Sequence, residues 1–241
     1  MNIILFESLS PINELKSGDE RFNHIVNILK LKVGDSFKCG VINSSSGIGR
    51  ITKMSMSSIT FQYEITKDKT DTPLKLTIIQ GSVRPICLKR MLRAASECGV
   101  KEVILTEMEL TEKSYLESGF FKNEEAYGTL LDGAIQSGTT YVPKLTILKS
   151  LDVALKTFDD KDVLKIILDN KNDFYERDVP GLNSNIVKDK DSVLLIGPER
   201  GFVDSERKMA INHGFTPYKL GNRILRAETA FIISLFPFIT D

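Results

Sequence analysis

The spacing of apolar residues changes near residue 70, and this change divides the chain into two parts. Before it, short apolar runs rich in β-branched and aromatic residues are separated by Gly and Ser turns, a pattern that predicts short strands. These runs are IILF, DSFKCGVI, GRITKMS and SSITFQYEIT. One helical pattern, ERFNHIVNILKL, places Phe22, Ile25, Ile28 and Leu29 on one face. The first part is therefore predicted to be a small β-barrel with one helix.

The second part follows TKDKTDTP at residues 66–73, where charged and turn-forming residues interrupt the apolar pattern. Strand patterns then alternate with amphipathic helices, which predicts an α/β fold with a mostly parallel sheet. The strand candidates are LKLTIIQ, EVILTE, KLTILK, DVLKIILD, SVLLIG and FTPYKLG. Because ligands of such sheets bind at the carboxyl ends of the strands, the informative loops follow Leu168, Ile196 and Leu220.

Composition and charge narrow the possible functions. The 241 residues carry no net charge and the pI is near 6.8, so any nucleic-acid contact must come from a local basic patch. Three cysteines without C-x-x-C spacing and two distant histidines argue against disulfides and a metal site, and for a reducing compartment. The chain begins without a basic leader and has no uncharged run of 18 residues, which predicts a soluble cytoplasmic protein without a membrane partner.

Two loops near the C-terminus carry the candidate chemistry. In LLIGPERGF, residues 194–202, Pro198 ends a buried strand because proline cannot extend a central ladder. A helix is predicted next, with Asp204 as its N-cap and Gly214 at C′. In LGNRILRAETA, residues 220–230, a Gly-Asn turn leads into a helix predicted to begin at Arg223. Either loop alone is typical of an ordinary strand-to-helix turn. Their shared density of polar residues favours a ligand site.

These two loops resemble the paired signatures of the RsmE family, the 16S ribosomal RNA uracil-N3 methyltransferases of the SPOUT superfamily. The usual forms in that family are IGPEGGF and LG-x-RILR-[TA]-ETA. NHIVNILKLKVGD, LKRMLRAASECGVKEVILTEMELTEKS and GAIQSGTTYVPKL are similar to earlier segments of the family, so the resemblance covers nearly the whole chain.

The resemblance implies a PUA-like RNA-binding barrel over residues 1–70 and a SPOUT domain tied in a trefoil knot over residues 71–241. It also implies an S-adenosyl-L-methionine (SAM) site in the knot loops, a homodimer, and 16S rRNA in the small ribosomal subunit as the substrate. Methyl transfer from a sulfonium to a uracil nitrogen is a direct displacement, so no metal is expected.

The chemistry of this methyl transfer points to candidate roles for residues of the two loops. Arg226, expected one turn into the final helix, would stabilise the uracil anion, with Arg223 as the alternative. Glu228 and Glu199 would either orient an arginine or take the proton. A purely structural pairing of Arg226 with Glu199 stays open, as does a packing role for Thr229. The expected cofactor contacts are Leu168, Leu195, Ile196, Gly197, Pro198, Glu199, Gly201, Leu220, Gly221, Asn222, Ile224 and Leu225.

Basic residues of the expected RNA surface are Lys30, Lys32, Arg50, Lys53 and Lys113, although such charges are also typical of a solvated face. Phe120 and Phe121 either stack on bases or pack in the core.

Several positions depart from the family pattern. Arg200 stands where the family has Gly, so it would be strained if that position needed positive φ, or it could add a phosphate contact. Lys30 and Lys113 replace arginines, Ile135 and Thr139 replace a Glu and an Arg, and Cys98 replaces a Leu. Two other functions therefore stay open: a homologue that binds ribosomal RNA without catalysis, and a nucleotide-binding α/β enzyme without an RNA substrate.

Overall fold

The computed structural model describes residues 2–115, 120 and 125–240. The chain forms two compact units. One comprises Met1–Thr72 and Ala134–Val142, and the other comprises Pro73–Gly133 and Pro143–Asp241.

The first unit contains a five-stranded mixed sheet. Its strands lie in the order β1-β3-β4-β5-β2, and only β1 and β3 pair in parallel. They are β1 Ile4–Phe6, β2 Ile12–Lys16, β3 Ser36–Val41, β4 Ser46–Met54 and β5 Ser58–Lys67. The predicted strands correspond to β1, β3, β4 and β5, whereas β2 was missed because only Leu15 of its five residues is buried. All five strands contribute to one core, in which the Phe37 and Phe61 ring centroids are 5.2 Å apart.

The helix of this unit departs from the predicted apolar face. Helix α1, Glu20–Asn23, continues as a π-helical turn, His24–Ile28. Phe22 and Ile25 are buried as expected, but Ile28 is 68% exposed. Leu29 is exposed as well. The prediction was wrong for these two residues because a π turn adds a residue to each turn and so rotates the end of the helix off the core face.

The segment Ala134–Val142 is fixed in the first unit by hydrogen bonds. The Thr139 hydroxyl donates to Asp71 Oδ2 at 2.6 Å, and the backbone N–H of Val142 donates to Asn43 Oδ1 at 2.8 Å. Thr139 stands where the family pattern has an arginine. Here its hydroxyl is hydrogen-bonded to the Asp71 carboxylate.

The second unit contains a six-stranded sheet in the order β11-β9-β10-β6-β7-β8, with every described pair parallel. The predicted α/β class with a parallel sheet is confirmed. The strands are β6 Leu76–Gly81, β7 Glu102–Thr106, β8 Lys144–Leu148, β9 Leu164–Leu168, β10 Ser192–Ile196 and β11 Thr216–Tyr218. The described helices are α2 Pro85–Glu97, α3 Glu125–Ser137, α4 Leu151–Lys156, α5 Asn172–Tyr175, α6 Ser184–Val187, α7 Asp204–Asn212 and α8 Ala227–Ile239, with a 3-10 turn at Lys113–Tyr115. Residues 134–137, at the end of α3, belong to the first unit.

Both faces of this sheet are covered. Ile79 and Leu195 pack with residues of α4 and α7 on one face. Ile78 and Leu194, their neighbours in sequence, point to the other face and are also fully buried. A sheet buried on both faces has its ligand-accessible groups at the strand ends, where the loops after β6, β9, β10 and β11 begin.

No described helix has the length and apolar character that crossing a membrane requires.

Candidate active site at the carboxyl edge of the parallel sheet

The loop after β10 is positioned by the end of β6. The buried Gln80 side chain donates from Nε2 to the carbonyl oxygen of Gly197 at 3.0 Å. Gly81 lies against Pro198, where a Cβ would come within 2.7 Å of the proline ring. Gly201 has φ +71°, whereas Arg200 is not among the described residues with positive φ. Arg200 therefore does not need the left-handed backbone that favours glycine, and this residue is exposed.

The helix after this loop begins with a different cap from the predicted one. Asp204 is the first residue of α7, and Val203 is the N-cap. Asp204 was therefore misplaced by one residue. The side chain of Glu206 accepts a hydrogen bond from the backbone N–H of Val203 at 3.1 Å and so stabilises the start of the helix. Gly214, with φ +82°, follows the C-cap residue as predicted.

The loop after β11 is longer than predicted. Residues 222–226 are not helical, and α8 begins at Ala227 rather than at Arg223. Arg226 is the N-cap of α8, with an extended backbone, instead of lying one turn inside the helix. Its carbonyl oxygen accepts the first helical hydrogen bond, from Ala230 at 2.9 Å. The apparent helix start was wrong because the segment before Ala227 lines a cavity with an irregular backbone.

The first cavity lies between these loops and has a volume of about 320 Å³. Ten of the twelve expected cofactor contacts line it, namely Leu168, Ile196, Gly197, Pro198, Glu199, Gly201, Leu220, Gly221, Ile224 and Leu225. Leu195 is instead buried in the core, and Asn222 is exposed and outside the lining. Arg223, the alternative catalytic arginine, lies in this cavity.

A second cavity of about 900 Å³ adjoins the first. It contains Arg226 and Glu228 of the expected catalytic set, together with Arg84 and Tyr115. Arg84 and Tyr115 were not predicted from the sequence as site residues. Four of the described residues line both cavities: Pro198, Glu199, Arg200 and Ala227.

The two carboxylates of the second cavity have different partners. Glu199 Oε1 lies 3.8 Å from Arg84 Nε and accepts from the Arg84 backbone N–H at 3.4 Å, while Tyr115 donates to Oε2 at 3.4 Å. Glu228 Oε1 pairs with Arg90 Nη1 at 3.2 Å. The predicted alternative, an ion pair of Arg226 with Glu199, is absent among the described residues.

Contacts within the second cavity shift the pKa values of Glu228, Cys87 and Tyr115. A hydrogen bond from the Cys87 thiol and the charges of Arg90 and Arg226 lower the pKa of Glu228. Burial is the main cause that raises the pKa of Cys87 to about 11, and the hydrogen bond with Glu228 is the next. The thiol therefore stays protonated at neutral pH. A hydrogen bond with Glu112 is the main cause that raises the pKa of Tyr115. Glu228 is therefore a carboxylate that is already engaged by a cation and a thiol.

A buried ion pair that could not be predicted from the sequence lies in the wall of the first cavity. Arg207 and Asp169 both line it, and Arg207 Nη1 donates to the carbonyl oxygen of Phe202 at 2.6 Å. In the sequence, the one indication of this pair is that Asp169 directly follows a buried strand.

The expected RNA residues of the first unit are exposed: Lys30, Lys32, Arg50 and Lys53. The turn that carries Lys32 contacts β4, since Gly34 N–H donates to Ile51 O at 2.9 Å. Lys30 has φ +55°. The side chain of Lys113 and the whole of Phe121 lie outside the described residues, and Phe120 is buried, as core packing requires.

Within the described ranges, no group of three or more His, Cys, Asp or Glu side chains is arranged to hold a metal ion.

Comparison with known proteins gives full-length matches. A family model for the RNA methyltransferase domain matches residues 70–236, and a model for the RNA methyltransferase PUA domain matches residues 18–64. Ribosomal RNA small subunit methyltransferase E 1 of Borreliella burgdorferi is 34% identical over 237 residues, covering 96% of this chain and 94% of the relative. The corresponding methyltransferase E of Treponema pallidum is 34% identical over 241 residues, covering 95% and 87%.

A solved structure shares the fold. The crystal structure of ribosomal RNA small subunit methyltransferase E from Neisseria gonorrhoeae, bound to S-adenosyl methionine, superposes with a TM-score of 0.78 at 20% identity, covering 98% of this chain and 95% of that one. Given the matched domain models and the full-length relatives, the chain belongs to the RNA methyltransferase family, together with the ribosomal RNA small subunit methyltransferases E.

Proposed function

We propose that the protein transfers a methyl group from SAM to N3 of one uridine in the 16S rRNA of the small ribosomal subunit. The observation that carries this proposal is the pair of adjoining cavities, which share a wall at Pro198, Glu199 and Arg200. A transferase needs a donor site and an acceptor site in contact, and two adjoining cavities support this assignment. The names of the full-length relatives and the SAM in the Neisseria gonorrhoeae structure support the same reaction.

The first cavity suits the donor. Its volume lies at the lower end of the ~300 to 1,000 Å³ range of small-molecule sites. Ile196, Leu220 and Leu225 provide apolar surface for an adenine ring, and the glycine-containing loops expose backbone groups for its polar edge. Arg223 can pair with a carboxylate. Bound there, SAM would supply an electrophilic methyl group on a sulfonium.

The second cavity suits the acceptor base. Loss of the N3 proton leaves negative charge on the ring and its two carbonyl oxygens, and Arg226 would stabilise that charge from the N-terminus of α8. A preorganised donor of this kind typically lowers the barrier by ~3 to 4 kcal/mol. Arg200, on the shared wall, would contact a phosphate or the base.

The remaining parts of the proposal concern the RNA and the assembly. Residues 1–70 would bind RNA through Lys30, Lys32, Arg50 and Lys53, and residues 71–241 would form the catalytic domain. Helix α8 exposes Ile232, Ile233, Phe236 and Ile239 by 43–63%, and an apolar face of this kind supports a homodimer. The trefoil knot and the cytoplasmic location implied by the family resemblance complete this proposal.

The test is transfer of a labelled methyl group from SAM to small ribosomal subunits that lack uridine N3 methylation, followed by mapping of the modified base. We expect label at N3 of a single uridine of 16S rRNA. SAM binding without transfer to subunits or to naked 16S rRNA would contradict the proposed substrate. Absence of saturable SAM binding would instead favour a homologue that only binds ribosomal RNA.

A further inference from the structure

We infer that Glu199 is the proton acceptor for uracil N3, an assignment that rests on the proposed function. In a direct displacement, N3 must reach the methyl group in line with the carbon–sulfur bond. It must therefore lie where the two cavities meet. The described residues that line both cavities are Pro198, Glu199, Arg200 and Ala227, and of these four the Glu199 carboxylate is the group that can accept a proton.

Glu228 is the other carboxylate that sequence reasoning offered for this role. It lines only the second cavity, and its side chain is 19% exposed and paired with Arg90. The Cys87 thiol and the charges of Arg90 and Arg226 also stabilise its ionised form. Glu228 thus lines only the second cavity, and its 3.2 Å ion pair with Arg90 is closer than the 3.8 Å between Glu199 and Arg84, which suits an anchor for Arg90 better than a base.

Within the described part of the chain, the Glu199 carboxylate contacts Arg84 and Tyr115. Arg84 and Tyr115 contact it from the loop after β6 and from the 3-10 turn, at 3.4 Å for each hydrogen bond. Arg84 Nε also donates to the Tyr115 hydroxyl at 3.2 Å, so the two side chains form one support. Long hydrogen bonds are common for catalytic groups in structures without substrate, and they shorten when it binds. Arg84 and Tyr115 are therefore positioning residues for the Glu199 carboxylate.

The proposed step balances in protons and electrons. The N3–H bond breaks and its proton passes to a Glu199 carboxylate oxygen, which leaves the electron pair on N3. That pair forms the bond to the methyl carbon, and the electrons of the carbon–sulfur bond stay on sulfur, which becomes a neutral thioether. Glu199 then returns the proton to solvent. Arg226 stabilises the anionic ring while the proton is on the carboxyl group.

The test compares Glu199→Gln with Glu199→Asp and with the matched control Glu97→Gln, an exposed position outside both cavities. SAM affinity is measured by calorimetry, and single-turnover methylation of small subunits is measured as a function of pH. Because Gln keeps the size of the Glu199 side chain in the wall of the first cavity, we expect Glu199→Gln to retain saturable SAM binding but to react ~10²- to 10⁴-fold more slowly. Its residual rate should rise in proportion to hydroxide concentration. Glu199→Asp should keep the wild-type shape of the pH profile at a lower rate.

A second readout uses the acidity of the substrate. Subunits reconstituted with 5-fluorouridine at the target carry a more acidic N3, and they should rescue Glu199→Gln more than the wild type. A Gln variant with the wild-type rate and pH profile would overturn the inference. So would loss of SAM binding in Glu199→Gln, since Glu199 would then serve the cofactor. Failure of the wild type to methylate any subunit would instead overturn the proposed function.

Discussion

Arg207 and Asp169 form an ion pair with 2.5 Å between Nε and Oδ2, and both side chains are more than nine-tenths buried. The same carboxylate oxygen accepts a hydrogen bond from the Tyr175 hydroxyl at 3.1 Å, and the guanidinium also donates to the carbonyl oxygen of Phe202. The pair therefore joins the end of β9 to the loop after β10, two walls of the first cavity.

Replacing Arg207 with Leu should destabilise the protein by roughly 3 to 5 kcal/mol, because it leaves the Asp169 carboxylate buried without its cation. The loop after β10 should also lose its attachment through Phe202, so SAM affinity should fall at temperatures where the variant is folded. Urea unfolding and calorimetric titration measure the two effects.

The control for this change is Lys208→Leu, which removes a charge from an exposed neighbouring position of α7. It should change the free energy of unfolding by no more than ~0.5 kcal/mol. Equal stabilities of the two variants would mean that the Arg207–Asp169 pair contributes no more than a surface charge.

Replacing Arg226 with Ala should lower the rate of methyl transfer by about 10²- to 10³-fold, because the cation that faces the uracil anion is lost. SAM affinity should stay near that of the wild type, since Arg226 lines only the second cavity. Single-turnover kinetics and calorimetry separate the two quantities. Arg93→Ala, on the exposed face of α2, is the matched control. A larger loss in Arg223→Ala than in Arg226→Ala would move the catalytic role to Arg223.

The parallel sheet could be predicted from the sequence because its central strands are continuous apolar runs. All five residues of β10 are buried, so SVLLI is a continuous buried run without alternating apolar and polar positions, as expected for a strand of a parallel sheet. Strand β2 has one buried position in five, and its pairing with β5 is determined by partners distant in sequence. The π-helical turn at His24–Ile28 likewise has no signal in the apolar spacing, which is that of one regular helix.

The site was predictable where glycine and proline determine the backbone, and less so where tertiary contacts do. Gly201 and Gly214 have the positive φ values that only glycine adopts easily. RILR has good helix propensity, yet it runs irregularly because it lines a cavity, so Arg226 caps the helix instead of lying inside it. The Arg207–Asp169 pair joins residues 38 positions apart, and in sequence Arg207 looks like one more charge on an amphipathic helix.

Replacing Gly201 with Ala should cost ~1 to 2 kcal/mol of stability, because φ is +71° and L residues are disfavoured there. Apart from the chain neighbours of Gly201, no described atom lies within 4 Å of the added Cβ, so the cost is conformational rather than steric. Gly128→Ala in α3 is the matched control: its Cβ also meets nothing, and it should stabilise the helix by roughly 0.5 to 1 kcal/mol. Chemical denaturation compares the two. Equal effects would show that the turn at Gly201 relaxes to negative φ.

The free energy of unfolding should decrease as the pH falls below the pKa of histidine in the unfolded chain. His24 should contribute to this decrease. Its Nε2 is buried without a hydrogen-bond partner among the described residues, and burial lowers its pKa from the usual 6.5. The unfolded chain therefore binds the proton first, and unfolding is favoured below pH ~6.5. Urea unfolding at several pH values should show a weaker pH dependence in His24→Leu than in the wild type. An unchanged dependence would mean that His24 is solvated in the native state.

Replacing Lys30, Lys32, Arg50 and Lys53 should weaken RNA binding and its salt dependence together. Each phosphate contact that is lost should reduce the slope of log affinity against log salt concentration by ~0.7 to 0.9, because fewer counterions are released. Lys30 is best changed to Gly, since its φ of +55° suits glycine, and the others to Ala. SAM affinity should stay unchanged. A variant with four exposed lysines of the second unit changed to Ala, at positions 161, 188, 190 and 208, has the same change in net charge. A slope reduced equally in both variants would mean that the RNA responds to net charge rather than to a surface on the first unit.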